Sequence, residues 1–137
     1  MERKYGEYLI SDNKSLLSLE RIGEFLAQSY WANQRPLEKI KLSIENSPCF
    51  GIYFQDRQVG FARVVTDFAT MYWLCDVFID EAHRGKGLGK QFVKSIIESD
   101  ELKGLVGILG TKDAHGLYEQ FGFEKEAERF MRRIPKK

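Results

Sequence analysis

The chain reads as one α/β (α+β) domain spanning 1–137, and three observations carry that expectation. A period-two apolar pattern from Phe50 to Val65 reads as an antiparallel hairpin. Met71 to Ile79 is continuously apolar except for Asp76, as expected of a strand covered on both faces. That run then passes through a glycine-dense turn and a helical pattern into a further apolar run at Leu105–Leu109, the order of a βαβ-like unit.

In chain order, residues 7–11 form a short first strand that Asp12-Asn13 ends. Leu19, Ile22, Leu26 and Tyr30 then make a helical stripe within 15–30. Pro36 suits the first turn of a second helix, with Leu37, Ile40 and Ile44 as its buried face and Asn46-Ser47-Pro48 as its stop. Asp56-Arg57 turns the hairpin, and residues 66–70 form the next loop. Leu88, Phe92, Val93, Ile96 and Ile97 give the third helix its apolar face. Asp113 is a candidate N-cap for a short helix through Gln120, with Gly122 at C′. Phe123 and the stretch 128–134 are expected to close the sheet.

Composition narrows the function classes. The net charge of +1 argues against a general attraction to nucleic acid or membrane, and the basic residues from Arg129 to Lys137 read as a solvated terminal strand. The apolar runs are too short to span a bilayer, and no signal-peptide pattern follows Met1, so a cytoplasmic location is expected. Two cysteines and two histidines form neither a disulfide framework nor a metal-ligand cluster.

The informative stretch is Arg84-Gly85-Lys86-Gly87-Leu88-Gly89 with Lys90. A glycine-dense turn opening a helix directs free N–H groups outward at the positive end of the helix dipole, which suits a phosphate or pyrophosphate. The Walker and dinucleotide patterns both fail here on spacing. What remains resembles the [Gln/Arg]-x-x-Gly-x-[Gly/Ala] signature of the GNAT N-acetyltransferase superfamily, with Arg84, Gly87 and Gly89 in the signature positions. A second stretch, Ala114-x-x-Leu117-Tyr118-Glu119-x-Phe121-Gly122-Phe123, is similar to the late helix motif of that family. Glu81 stands where the family often has Pro, and Thr111 and Asp113 stand near an expected Asn.

The resemblance implies a mixed, mostly antiparallel sheet of six to seven strands with about four helices, and a splayed strand pair forming an acetyl-CoA slot. It implies acetyl transfer from acetyl-CoA to a small-molecule or protein amine within a ternary complex, by a monomer or homodimer. The main chain of Val77, Phe78 and Ile79, the turn Arg84–Lys90 including Leu88, and Thr111 and Asp113 would then contact the coenzyme. Tyr118 is the candidate acid for the leaving thiolate, against a reading as a core tyrosine. Asp76 is either the base or the partner of Arg63 in an ion pair. Tyr30, Trp31, Arg35 and Arg63 are candidates for the acceptor side, with helix-end packing as the other account of the aromatics. A non-catalytic acyl-CoA-binding regulatory module is the alternative function.

Overall fold

The structure, a computed structural model, describes residues 1–135; Lys136 and Lys137 of the basic tail lie outside the described residues. Its elements are β1 (Glu2–Tyr5), β2 (Tyr8–Ser11), α1 (Leu19–Ala27), α2 (Leu37–Glu45), β3 (Cys49–Phe54), β4 (Arg57–Thr66), β5 (Met71–Ile79), α3 (Leu88–Ile97), β6 (Val106–Leu109) and α4 (His115–Glu119). The six strands lie in one sheet in sequence order. Neighbours are antiparallel as far as β5, and β5 pairs with β6 in parallel. The parallel pair needs a crossover, which α3 supplies.

Each face of the sheet carries its own core. On the α3 side, Leu88, Phe92, Val93 and Ile96 pack on Ile10, Phe50, Ile52, Val64 and Leu74. On the other face Ile22, Phe25 and Leu26 of α1 and Ile40 of α2 pack on Phe61 and Phe78. This explains the nearly unbroken apolar run of β5, since a strand between two layers alternates between two cores rather than between core and water.

A bulge adds a twist to that alternation. Phe61 pairs with Phe78 and Arg63 with Cys75, so three steps of β5 oppose two of β4. Asp76 sits in the bulge with φ 55, a left-handed conformation uncommon for a residue other than glycine. Tyr72 and Leu74 therefore face the α3 core, whereas Phe78 joins the α1–α2 core. The bulge turns the Asp76 carboxylate toward α1 and α2.

Several boundaries differ from the sequence expectation. The first strand is preceded by β1, and the two form a hairpin through Gly6 at φ 58. Helix α1 starts at Leu19 because the Ser18 hydroxyl accepts the Arg21 N–H at 3.2 Å. Leu37 is exposed on α2, and Ile40 alone of its expected face is fully buried. The β3–β4 turn is Gln55-Asp56, one residue earlier than expected, with both residues at positive φ as a two-residue hairpin turn requires. Residues 120–135 form no strand, so the expected closing strand is corrected. This segment is mostly irregular chain, with Phe130 stacked on Trp73 at a centroid distance of 5.9 Å.

Candidate functional site

The site begins where two strands part. β5 and β6 pair from Met71↔Val106 to Leu74↔Leu109, and there the ladder stops while β5 continues to Ile79 beside β4. On the β6 side, Cys75–Ile79 thus have no strand partner, and buried main-chain groups need one. A cleft of about 1080 Å³ opens at the parting. Its wall includes Val77, Phe78 and Ile79, the glycine turn, the loop after β6, and the acceptor-side candidates Tyr30, Trp31, Arg35 and Arg63.

At one end of the cleft lies the glycine turn. Gly85 (φ 81) and Gly87 (φ 73) are both left-handed, which only glycine adopts without strain. Gly87 is the N-cap of α3, so the N–H groups of the first turn stay free. The Tyr5 hydroxyl donates to the Lys86 carbonyl at 3.0 Å, fastening the turn to β1. Arg84 Nε donates to the Ile79 carbonyl at 2.8 Å, and its guanidinium lies over the Phe78 ring. Arg84, Gly85, Gly87, Leu88 and Gly89 line the cleft. Lys86 and Lys90 are exposed, and neither belongs to its wall.

Tyr118 is buried and lines the same cleft. Its ring is fixed by the end of α4. Phe123 N–H donates to the Tyr118 carbonyl, Gly122 N–H donates to the Glu119 carbonyl, and Gly122 is left-handed at φ 90. This is the paired-bond helix ending that places the C″ side chain on the last turn, and Phe123 meets the Tyr118 ring edge to face at 6.0 Å. The aromatic-Gly-Phe sequence is thus a clamp on Tyr118. Among the described residues nothing hydrogen-bonds the Tyr118 hydroxyl. Burial first, then the nearby Tyr30 and Asp113, pushes its pKa up to about 12. Asp113 is not the N-cap of α4: the helix begins at His115, and Thr111 Oγ1 takes the Ala114 N–H at 3.1 Å. Both Thr111 and Asp113 line the cleft.

The other end is built from side chains of three elements. The Asp76 side chain is only 2% exposed. Arg35 Nη1 and Arg63 Nε donate to its Oδ2 at 2.8 and 2.9 Å, and Trp31 Nε1 donates to Oδ1 at 3.0 Å. Burial alone would raise the Asp76 pKa, but the Arg63 hydrogen bond and the charges of both arginines outweigh it and hold the carboxylate below its ordinary range. The ion pair with Arg63 that the sequence offered is present, and Arg35 joins it. Tyr30 does not merely pack at a helix end. Its hydroxyl accepts the Lys112 N–H at 3.0 Å, tying the chain after α1 to the loop after β6.

The sequence reading missed several wall residues. Trp73 and Cys75 point away from the α3 core, and Arg132 arrives on the C-terminal segment held by the Trp73–Phe130 stack. The alternation of β5 placed Trp73 and Cys75 on one face, but nothing local to Arg132 tells where its segment lies. Among the described residues no three metal-ligating side chains cluster, and no helix is long and apolar enough to cross a membrane.

A parted parallel pair, a left-handed glycine turn at a helix start and a buried tyrosine lining the same cleft define the class. The chain belongs to the acetyltransferase (GNAT) family, whose domain model matches residues 45–125. A GNAT-family protein of Xanthomonas campestris pv. campestris superimposes with a TM-score of 0.90 at 37% identity, over 96% of each chain. Spermine/spermidine N(1)-acetyltransferase of Bacillus subtilis is 32% identical over 91 residues, 57% of this chain and 60% of that one. An acetyltransferase-like protein of Gibberella zeae is 28% identical over 114 residues, and the match spans 69% of this chain and 64% of that one. A GNAT acetyltransferase of Elizabethkingia anophelis with acetyl-CoA bound shares the fold, with a TM-score of 0.67 at 14% identity over 88% of this chain and 78% of that one.

Proposed function

We propose that this chain transfers an acetyl group from acetyl-CoA to a primary amine by direct attack within a ternary complex. One observation carries the reading: an unpaired strand edge, a left-handed glycine turn and a protonated phenol face one cleft. The residues suit the coenzyme on their own geometry. A Cβ on Gly87 would sit 3.2 Å from the Tyr5 hydroxyl, and Gly85 has open space around it, so the turn leaves its N–H groups reachable by a pyrophosphate. The main-chain groups left unpaired along 75–79, the Ile79 carbonyl apart because Arg84 holds it, suit an amide-bearing arm laid alongside β5. When bound, acetyl-CoA supplies a thioester whose carbonyl carbon is open to attack by an amine.

The chain's residues then handle protons and position. The amine nitrogen bonds to the acyl carbon, the C–S bond breaks, and Tyr118 gives its hydroxyl proton to the departing sulfur and regains one from water. In water a phenol of pKa ~10 is a weaker acid than a thiol of pKa ~8.5. Burial disfavours a thiolate as it does a phenolate, so in the cleft the departing sulfur needs a proton all the more. Asp76, held ionised by two arginines, positions Trp31, Arg35 and Arg63, and the amine proton leaves to water at the open mouth. No cysteine lies in either motif, and Cys75, the thiol of the cleft wall, is pushed up by burial to about 11 and stays protonated, which favours direct transfer over a covalent acyl-enzyme.

The test is incubation with acetyl-CoA and a panel of primary amines, following free thiol, alongside the melting temperature with acetyl-CoA alone. A rise in melting temperature and amine-dependent thiol release are expected. Binding without thiol release from any amine would make the chain an acyl-CoA-binding module instead.

A further inference from the structure

We propose that the acceptor end of the cleft is an anion-binding subsite, selecting primary amines that also carry a carboxylate or phosphate. The selection of acceptors rests on the transfer reading above; the subsite itself does not. The ion group around Asp76 is unbalanced. One carboxylate holds two guanidiniums, so Arg35, Arg63 and Asp76 together keep a positive charge. Arg132 lines the same cleft and adds another, carried there by Phe130 stacking on Trp73. The register pairs Arg63 with Cys75 and Val65 with Trp73, so these side chains share one patch of the sheet face. Among the described residues, Asp76 and Asp113 are the carboxylates that line the cleft, and Asp113 lies near Tyr118.

The donors that remain have the right form. Arg63 spends Nε on Asp76 and Nη1 on the Ser47 hydroxyl at 3.3 Å, while Arg35 spends only Nη1 on Asp76. Among the described residues, Arg35 Nε and Nη2 and Arg63 Nη2 have no protein acceptor. The two side chains are 22% and 15% exposed, enough to meet a solute while largely shielded from water. Adjacent guanidinium forks fixed by a shared buried carboxylate suit a planar carboxylate or a phosphate, which they can grip with paired charge-assisted hydrogen bonds. A polyamine fares badly in the same place, because its remaining ammonium groups would face arginines.

Both tryptophans of the chain, Trp31 and Trp73, line this cleft, so their fluorescence reads the subsite without any turnover. The protein is titrated with β-alanine and O-phosphoethanolamine, and with ethanolamine and putrescine as amines lacking an anion. A saturable change is expected for one or both anionic amines, at least about ten-fold tighter than for the other two, the scale of one charge-assisted hydrogen bond. Which anionic amine wins tells carboxylate from phosphate. Arg35→Gln should weaken it about ten-fold or more. Arg132→Gln, on an irregular segment where folding is less at stake, should weaken it in the same direction, and Arg57→Gln outside the cleft should not. With acetyl-CoA present, kcat/KM should follow the same order. Tighter putrescine than anionic amine, or equal binding by wild type and both cleft variants, would overturn the subsite. Anionic amines that bind as expected but release no thiol would leave the subsite standing and remove the transfer reading.

Discussion

The two ends of the cleft are built by opposite means. The glycine end is made of main chain: two left-handed glycines and the free N–H groups of one helix turn, all within six residues of sequence. The acceptor end is made of side chains from distant positions, with Trp31, Arg35, Arg63 and Asp76 meeting within 3.0 Å of one carboxylate. Main-chain sites tolerate exchange of exposed side chains but not a Cβ in the wrong place. Side-chain sites are embedded in the core, so damage there reaches stability as well as function.

The comparison is best broken at the point between the ends. Tyr118→Phe keeps the ring and its contact with Phe123 while deleting the donor. A loss of about 10²–10⁴-fold in turnover is expected, roughly 3–5 kcal/mol of barrier, with the melting temperature and acetyl-CoA binding nearly unchanged. Turnover by this variant at the wild-type rate, on an acceptor for which chemistry limits, would return Tyr118 to a packing role.

At the acceptor end, Asp76→Leu should cost about 3–5 kcal/mol of stability by urea unfolding, because it leaves two partly buried arginines without their counter-charge. The sign with pH follows from its depressed pKa. The Asp76 contribution is complete above the ordinary carboxylate pKa and fades as pH falls through the lower folded value, so the wild type should lose this part of its stability only in acid. Asp76→Asn should flatten that acid limb. If turnover of Asp76→Asn instead recovered fully at high pH with stability intact, Asp76 would be the base after all.

Smaller effects are expected at the glycine end. Gly87→Val imposes a β-branched residue at φ 73 and should cost about 1–3 kcal/mol, with acetyl-CoA stabilisation lost. A folded Gly87→Val that binds acetyl-CoA normally would place the pyrophosphate elsewhere. Smallest of all, Tyr30→Phe removes the hydroxyl that accepts the Lys112 N–H, worth about 0.5–1.5 kcal/mol. Hydrogen exchange at Lys112 should show it as faster opening of the loop after β6.

What could be read from the chain alone was whatever short-range chemistry decides. The hairpin of β3 and β4, the apolar β5, the turn from Arg84 to Gly89 and the clamp from Tyr118 to Phe123 each follow from spacing, glycine conformation or helix-end rules acting over a few residues. Where the local signals compete, the chain was ambiguous. Asp113 has the side chain of a cap, yet α4 starts from Ala114 with no side-chain cap, and the path of the loop after β6 brings the Thr111 hydroxyl to the Ala114 N–H instead. The strand expected at 128–134 has the apolar residues for one, but that segment pairs with no strand and Phe130 stacks on the Trp73 ring instead. The tertiary structure alone decided the acceptor end. A bulge at Asp76 turned one carboxylate to the face where Arg35, 41 residues away, and Arg63 could both reach it. No periodicity encodes such a meeting, because it depends on where two layers of helices press on the sheet and on which charges must share a partner once water has been excluded.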